Sequence, residues 1–273
     1  MPNFLCAFFL LISGSLYAQS QISAKVTNGN ESIPYVNINL LHTNLRTVSN
    51  QNGHFSLSYT DENLADTLSI SCVGFEPYRR PLSQFLKEMK EANELVLVQS
   101  TTQLPEFVFS DRPLKKKVLG SKNAGKMIQV GFSSVGPGDQ IGTIFRVRED
   151  LTFINQLHIK PTYVNNDSLL FRLNFYDIKK GLPNTKHQVP LILFNSSELK
   201  AHEVFTLDLT EYGIVMTNDF YLSIECVENL DEDGQIVFAG SFSHGPIIGR
   251  LQEDAEWRKF PMFGMGIFLS VEY

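Results

Sequence analysis

The sequence predicts an all-β chain built as two β-sandwich domains. Three observations carry that prediction. Apolar and polar residues alternate with period two in segment after segment, the pattern of strands with one buried face. Turn residues recur between those segments. The chain shows no βα alternation, and only one short helical pattern interrupts the strands. At 273 residues it is long enough for two domains of roughly 100–150 residues each.

The first stretch, residues 19–98, reads as follows. Ile22, Ala24 and Val26 alternate with Ser23 and Lys25, and Asn28-Gly29-Asn30 then marks a turn. Val36, Ile38 and Leu40 alternate with Asn37 and Asn39, led in by Pro34, which pre-sets an extended backbone. Asn50-Gln51-Asn52-Gly53 is a turn, with Gly53 supplying a positive-φ position. Phe55, Leu57 and Tyr59 form a third strand, and Leu68, Ile70 and Cys72 a fourth. Within residues 81–93, Leu82, Phe85, Leu86 and Met89 share one helical face, which predicts a short amphipathic helix. Leu95 opens a closing strand. One-faced strands need a second layer, so a sandwich follows.

Three pieces of this stretch resemble the carboxypeptidase regulatory-like, transthyretin-type domain. Ile33-Pro34-Tyr35-Val36-Asn37-Ile38 resembles its turn into a strand, "lPgAnV". The run from Thr47 through Gly53 to Phe55 resembles its "gtvTDenGyF" hairpin. The run from Asp66 through Ser71 to Gly74 and Phe75 resembles its "D.L.iSyiGY" strand. The module of that family carries no peptidase chemistry, so the resemblance implies a scaffold or interaction domain.

Residues 99–124 read as a linker. Leu104-Pro105-Glu106-Phe107-Val108-Phe109 resembles the strand that follows this module in TonB-dependent outer-membrane receptors. The basic run Lys115-Lys116-Lys117 reads as a solvated connector. Residues 125–273 form the second module. Leu169, Phe171, Leu173 and Phe175 alternate with Leu170, Arg172, Asn174 and Tyr176. Further strands are expected around Phe205–Leu209, Phe220–Cys226, residues 236–242 and 267–271. Turns are expected at Gly136-Pro137-Gly138-Asp139, Gly181-Leu182-Pro183-Asn184, Tyr212-Gly213 and Asp231-Glu232-Asp233-Gly234. This half looks like the jelly-roll-like second domain that follows regulatory-like modules in Gram-negative envelope proteins without an assigned activity. A small outer-membrane β-barrel ending in the aromatic Tyr273 is the rival reading. Asp208 and Glu225 speak against it, because they fall on the less apolar faces of strands whose other faces are needed for a core.

The chain begins with an unbroken apolar run over residues 4–12, then small and mildly polar residues to Ala18. Residues 1–18 therefore read as a signal peptide, with a short membrane anchor as the alternative. Export to the periplasm or the outer membrane is the expected destination. Cys6 lies inside the apolar run, so no lipid-attachment site is indicated. Cys72 and Cys226 fall in separate domains and offer no zinc-type spacing. Net charge is −6, which disfavours nucleic acid as a partner.

No catalytic motif stands out. The six histidines, His42, His54, His158, His187, His202 and His244, form no metal-ligating pattern. No G-x-S-x-G elbow or phosphate-binding glycine loop is found. The acidic run 231–234 reads as a hairpin tip. The single tryptophan, Trp257, sits between Glu256 and Arg258 in a polar segment. It reads as an edge cap of the sandwich or as an aromatic that stacks on a sugar, with its two neighbours holding hydroxyls. The expectation is a non-catalytic envelope binding or scaffold protein with no cofactor and no metal, whose partner is an envelope protein or a glycan. A structural subunit of an outer-membrane assembly is the second expectation.

Overall fold

The structure is a computed structural model describing residues 20–43, 45–100, 114–133, 136–149, 151–165, 168–227, 235–242, 245–252 and 254–273. The expected signal peptide, the 104–109 strand, the 231–234 turn and His244 lie outside the described residues.

The first domain packs two sheets face to face. In one, Ser20–Thr27 is central, antiparallel to His54–Tyr59 and parallel to Glu94–Val96. In the other, Arg46–Val48, Asn37–Leu40, Thr67–Ser71 and Tyr78–Pro81 run antiparallel in that order. Val26, Val36, Ile38, Leu40, Leu68 and Ile70 fill the space between them and are fully buried. The expected helix is Leu82–Ala92, and Leu82, Phe85 and Met89 close one end of this core. Its first N–H groups are satisfied without a side-chain cap: Leu82 donates to the Asp66 carbonyl and Ser83 to that of Leu64. Gly53 has φ +77°, and a Cβ there would lie 2.6 Å from the Val26 carbonyl oxygen, so the turn requires glycine.

One lead-in differs from expectation. Pro34 and Tyr35 form a turn, and the strand starts only at Asn37. Tyr35 has φ +53°, a left-handed conformation that favours glycine, where the resembled motif carries "g". The turn aims the Tyr35 carbonyl away from its own domain, toward Arg172.

The second domain is also a sandwich. Its larger sheet has seven strands among the described residues. It runs Leu182–Lys186, Leu170–Lys179, Phe220–Cys226, Gln140–Phe145, Ile247–Arg250 and Arg258–Phe260, with Leu193–Asn195 also paired to Leu170–Lys179. Against it lie two joined sheets. One is Phe205–Asp208, Thr152–Ile159, Ile267–Glu272 and Lys116–Gly120, with Val215–Met216 beside Thr152–Ile159. The other holds Pro161–Val164, Gln235–Phe242 and Phe263–Met265, with Gly125–Ser133 along Gln235–Phe242. Phe171, Phe175, Phe220, Phe238, Leu157 and Leu269 meet between the layers. The larger sheet is open, with Leu182–Lys186 and Arg258–Phe260 at its edges, and it buries its apolar face inward. A membrane barrel closes its sheet and turns that face to lipid, so the barrel expectation is replaced by a sandwich.

Three further corrections follow. Lys116–Gly120, expected within the linker, is an edge strand hydrogen-bonded to Ile267–Glu272. Lysines on an exposed edge discourage pairing with other chains, which is why the segment resembles a connector. The hairpin turn expected at 181–184 sits at Lys180-Gly181, both at positive φ, and Pro183 lies in an edge strand where it costs no ladder bond. Finally, the polar face of the larger sheet is buried. Phe220–Cys226 is buried at every position, Glu225 included.

Candidate functional site

What buries Glu225 is the first domain. Arg172 and Glu225 are direct cross-strand neighbours on Leu170–Lys179 and Phe220–Cys226. The Arg172 side chain is 4% exposed and that of Glu225 0%. Arg172 Nε donates to Glu225 Oε2 at 3.0 Å and Nη2 to Oε1 at 2.6 Å, a bidentate fork. Asn37 of the first domain completes the group. Its Oδ1 accepts from Arg172 Nη2 at 2.9 Å and its Nδ2 donates to Glu225 Oε1 at 3.0 Å. Arg172 Nη1 donates to the Tyr35 carbonyl, and Asn174 Nδ2 donates to Glu225 Oε2 at 2.6 Å. Two buried charges are tolerable only with such pairing.

A second ion pair crosses the same seam. Arg46 Nη1 lies 2.6 Å from Asp139 Oδ1, and Asp139 is nearly buried. The Gln252 N–H donates to Asp139 Oδ1 at 2.9 Å. Burial pushes the Asp139 carboxyl above its usual range, with Arg46 and the two backbone N–H groups of Gln252 and Gly136 pulling the other way. Arg79 and Asp254 make a third, more exposed contact at 3.1 Å.

Beyond the seam the same sheet face is covered by the segment carrying Trp257. The indole stands edge-on to Tyr221, centroids 5.1 Å apart, and to Tyr176 at 5.5 Å. The Arg250 guanidinium lies 4.2 Å from its centroid. Arg250 Nη2 also donates to the Tyr176 hydroxyl, which donates to Gln140 Oε1. Trp257 is thus half-buried as a cap, with Glu256 and Arg258 exposed on either side. Trp257→Ala should cost about 2 kcal/mol of stability through lost packing and the lost cation–π contact; a urea titration followed by far-UV circular dichroism measures it.

A groove of about 590 Å³ opens where the layers part, between Arg258–Phe260 and Gly125–Ser133. Arg258 lines it; Trp257 and Glu256 do not. The three are neighbours in sequence, but Glu256 and Trp257 precede the strand Arg258–Phe260, and only Arg258 of the three reaches the groove.

Titratable groups elsewhere are dispersed. Among the described residues no group of three or more His, Cys, Asp or Glu is placed to hold a metal ion. His158 bridges strands, its Nδ1 2.9 Å from Thr206 Oγ1 and its Nε2 2.8 Å from Ser270 Oγ. Burial, and secondarily Lys122, lowers its pKa; burial also lowers that of His187, against a smaller opposing effect of Asp177. A histidine with a lowered folded-state pKa takes up its proton first in the unfolded chain. The stability it contributes is complete above its unfolded value of about 6.5 and is lost as pH falls through the interval below that value. The urea midpoint should therefore drop between about pH 7 and pH 5, and the drop should shrink in the double variant His158→Gln/His187→Gln.

Sequence reasoning named Trp257, Glu256 and Arg258 but did not find Asn37, Arg46, Asp139, Arg172 or Glu225 as a group. One signal was present: Arg172, Asn174 and Glu225 repeat on like faces of two strands, too polar for a core and too regular for a turn.

Comparison with known proteins bears on the first domain. Residues 22–109 match the family described as the CarboxypepD_reg-like domain. The first domain belongs to that family. The CarboxypepD_reg-like domain is regulatory and non-catalytic, in keeping with a sandwich whose conspicuous polar residues serve the seam. No curated protein matches the chain. Among solved structures, the one titled "Structure of infectious bursal disease virus Gx strain" is 10% identical, with a TM-score of 0.25. It covers 93% of this chain, which spans 64% of that one. Beside the CarboxypepD_reg-like domain, the second domain stands on its own geometry.

Proposed function

We propose that the chain is a non-catalytic binding or scaffold protein of the Gram-negative cell envelope. The carrying observation is the seam. The CarboxypepD_reg-like domain spends one sheet face, through Asn37, Arg46 and the Tyr35 carbonyl, on holding the second domain. A domain fixed in this way acts as a support, and the second domain presents the binding surface. The apolar groove favours an apolar partner over a polar one.

Fractionation of a Gram-negative host expressing the full chain tests this. The expected product begins at Gln19 and is recovered from the periplasm or the outer membrane. An uncleaved chain in the cytosol, or release of C-terminal amino acids from peptides, overturns the reading. A second reading, glycan binding, has one observation in its favour: Trp257 is half-buried with Glu256 and Arg258 exposed beside it. A glycan array decides it, since hits lost in Trp257→Ala support it and an empty array ends it.

A further inference from the structure

We propose that the groove of the second domain binds a long-chain aliphatic carboxylate, with its chain between the layers and its carboxylate on Arg258. The inference rests on reading the second domain as the binding module.

The groove is deep as well as exposed. Phe132, Ile141 and Ile247 on its walls are core residues, buried to 9% exposure or less. It therefore runs from solvent into the sandwich, where a thin chain fits and a folded surface does not. Its volume of about 590 Å³ is that of a site for one small molecule. Its rim holds large apolar side chains left in water: Met127 is 91% exposed, Leu251 59% and Phe260 51%. Phe242, 55% exposed, adjoins the same rim, its ring 5.9 Å from that of Phe263 in the groove wall. Scattered exposed apolar residues are ordinary, but a cluster at a cavity mouth marks a binding site. Unbranched methionine adapts to a flexible chain.

Charge selects the head group. Among the described residues, three charged ones line the groove: Asp139, Arg250 and Arg258. Asp139 is neutralised by Arg46 across the seam. Arg250 is stacked on Trp257. Arg258 is exposed, and among the described residues no carboxylate stands within ion-pair distance of it. Arg258 and Phe260 are two apart on one strand, so both face the groove. The mouth of an apolar groove is thus cationic on a chain whose net charge is −6. A guanidinium grips a carboxylate bidentately.

The test is equilibrium dialysis of the full chain against radiolabelled hexadecanoate below its micellar concentration, with Trp257 fluorescence as a second readout. Saturable binding at a single site is expected. Arg258→Glu should weaken hexadecanoate by about tenfold or more and leave hexadecanol unchanged. Phe260→Asp should weaken both. The variants are compared at equal urea midpoints, since both residues are exposed. Non-saturable uptake, an Arg258→Glu chain that binds hexadecanoate like the parent, or binding to phosphatidylglycerol vesicles with none to free hexadecanoate would each overturn the proposal. None of these results touches the envelope reading, which stands or falls on fractionation.

Discussion

Arg172→Ala should destabilise the chain by about 3–5 kcal/mol, because it strands the Glu225 carboxylate in a buried site without its counter-ion. Glu225 is 0% exposed, and Asn37 and Asn174 donate to it but bring no charge. Urea unfolding monitored by circular dichroism and by Trp257 fluorescence reads the loss. The loss measures an uncompensated charge, not the worth of the pair. Arg172→Met combined with Glu225→Leu should therefore recover much of it. Recovery should fall short of complete, since the Asn37 amide and the Tyr35 carbonyl would remain at the seam without their present partners. A double variant no more stable than Arg172→Ala would contradict this account. Asp208→Ala serves as the control. It removes a carboxylate from the polar face of another strand, but that face is solvated, and the midpoint should scarcely move.

The other large effect belongs to the second core. Phe220→Ala should cost about 3–5 kcal/mol, combining lost transfer energy with an unfilled cavity. Phe220 is fully buried, stacked on Phe145 at 5.5 Å and tilted on Phe175 at 5.9 Å. The two neighbours sit on the strands flanking that of Phe220, so the hole cannot close without moving the sheet. Calorimetry on parent and variant checks it, and a shift no larger than that of Trp257→Ala would show that the site collapses.

The two effects differ in how legible they were. Phe220 lies in an alternating run, and its burial follows from that run. Glu225 lies in the same run, on the face where alternation predicts solvent. The same holds for Asn37 and Asn39, polar in sequence yet 1% exposed. Period-two alternation reports that a strand has two faces of different polarity. It does not report that a second domain covers the polar one. Lys116–Gly120 shows the converse: its lysines hid a strand, because an edge strand keeps its charges in water. The left-handed Tyr35 was legible only through the resembled motif, which carries a glycine there; a tyrosine by itself gives no such signal. Of the candidate site, Arg258 was named, but as a neighbour of Trp257 and not as the mouth of a groove.

The sequence by itself determined the strands with clear apolar–polar alternation, the helix Leu82–Ala92, the glycine turn at Gly53 and the all-β class. Each depends on residues close along the chain, where backbone period and local sterics act. Only the tertiary structure decided that the polar faces meet, that Arg172 and Glu225 are buried, and that a groove opens beside Arg258. Arg172 and Asn37 are 135 residues apart. Their contact is settled by burial and charge pairing between domains, and no local pattern carries that information.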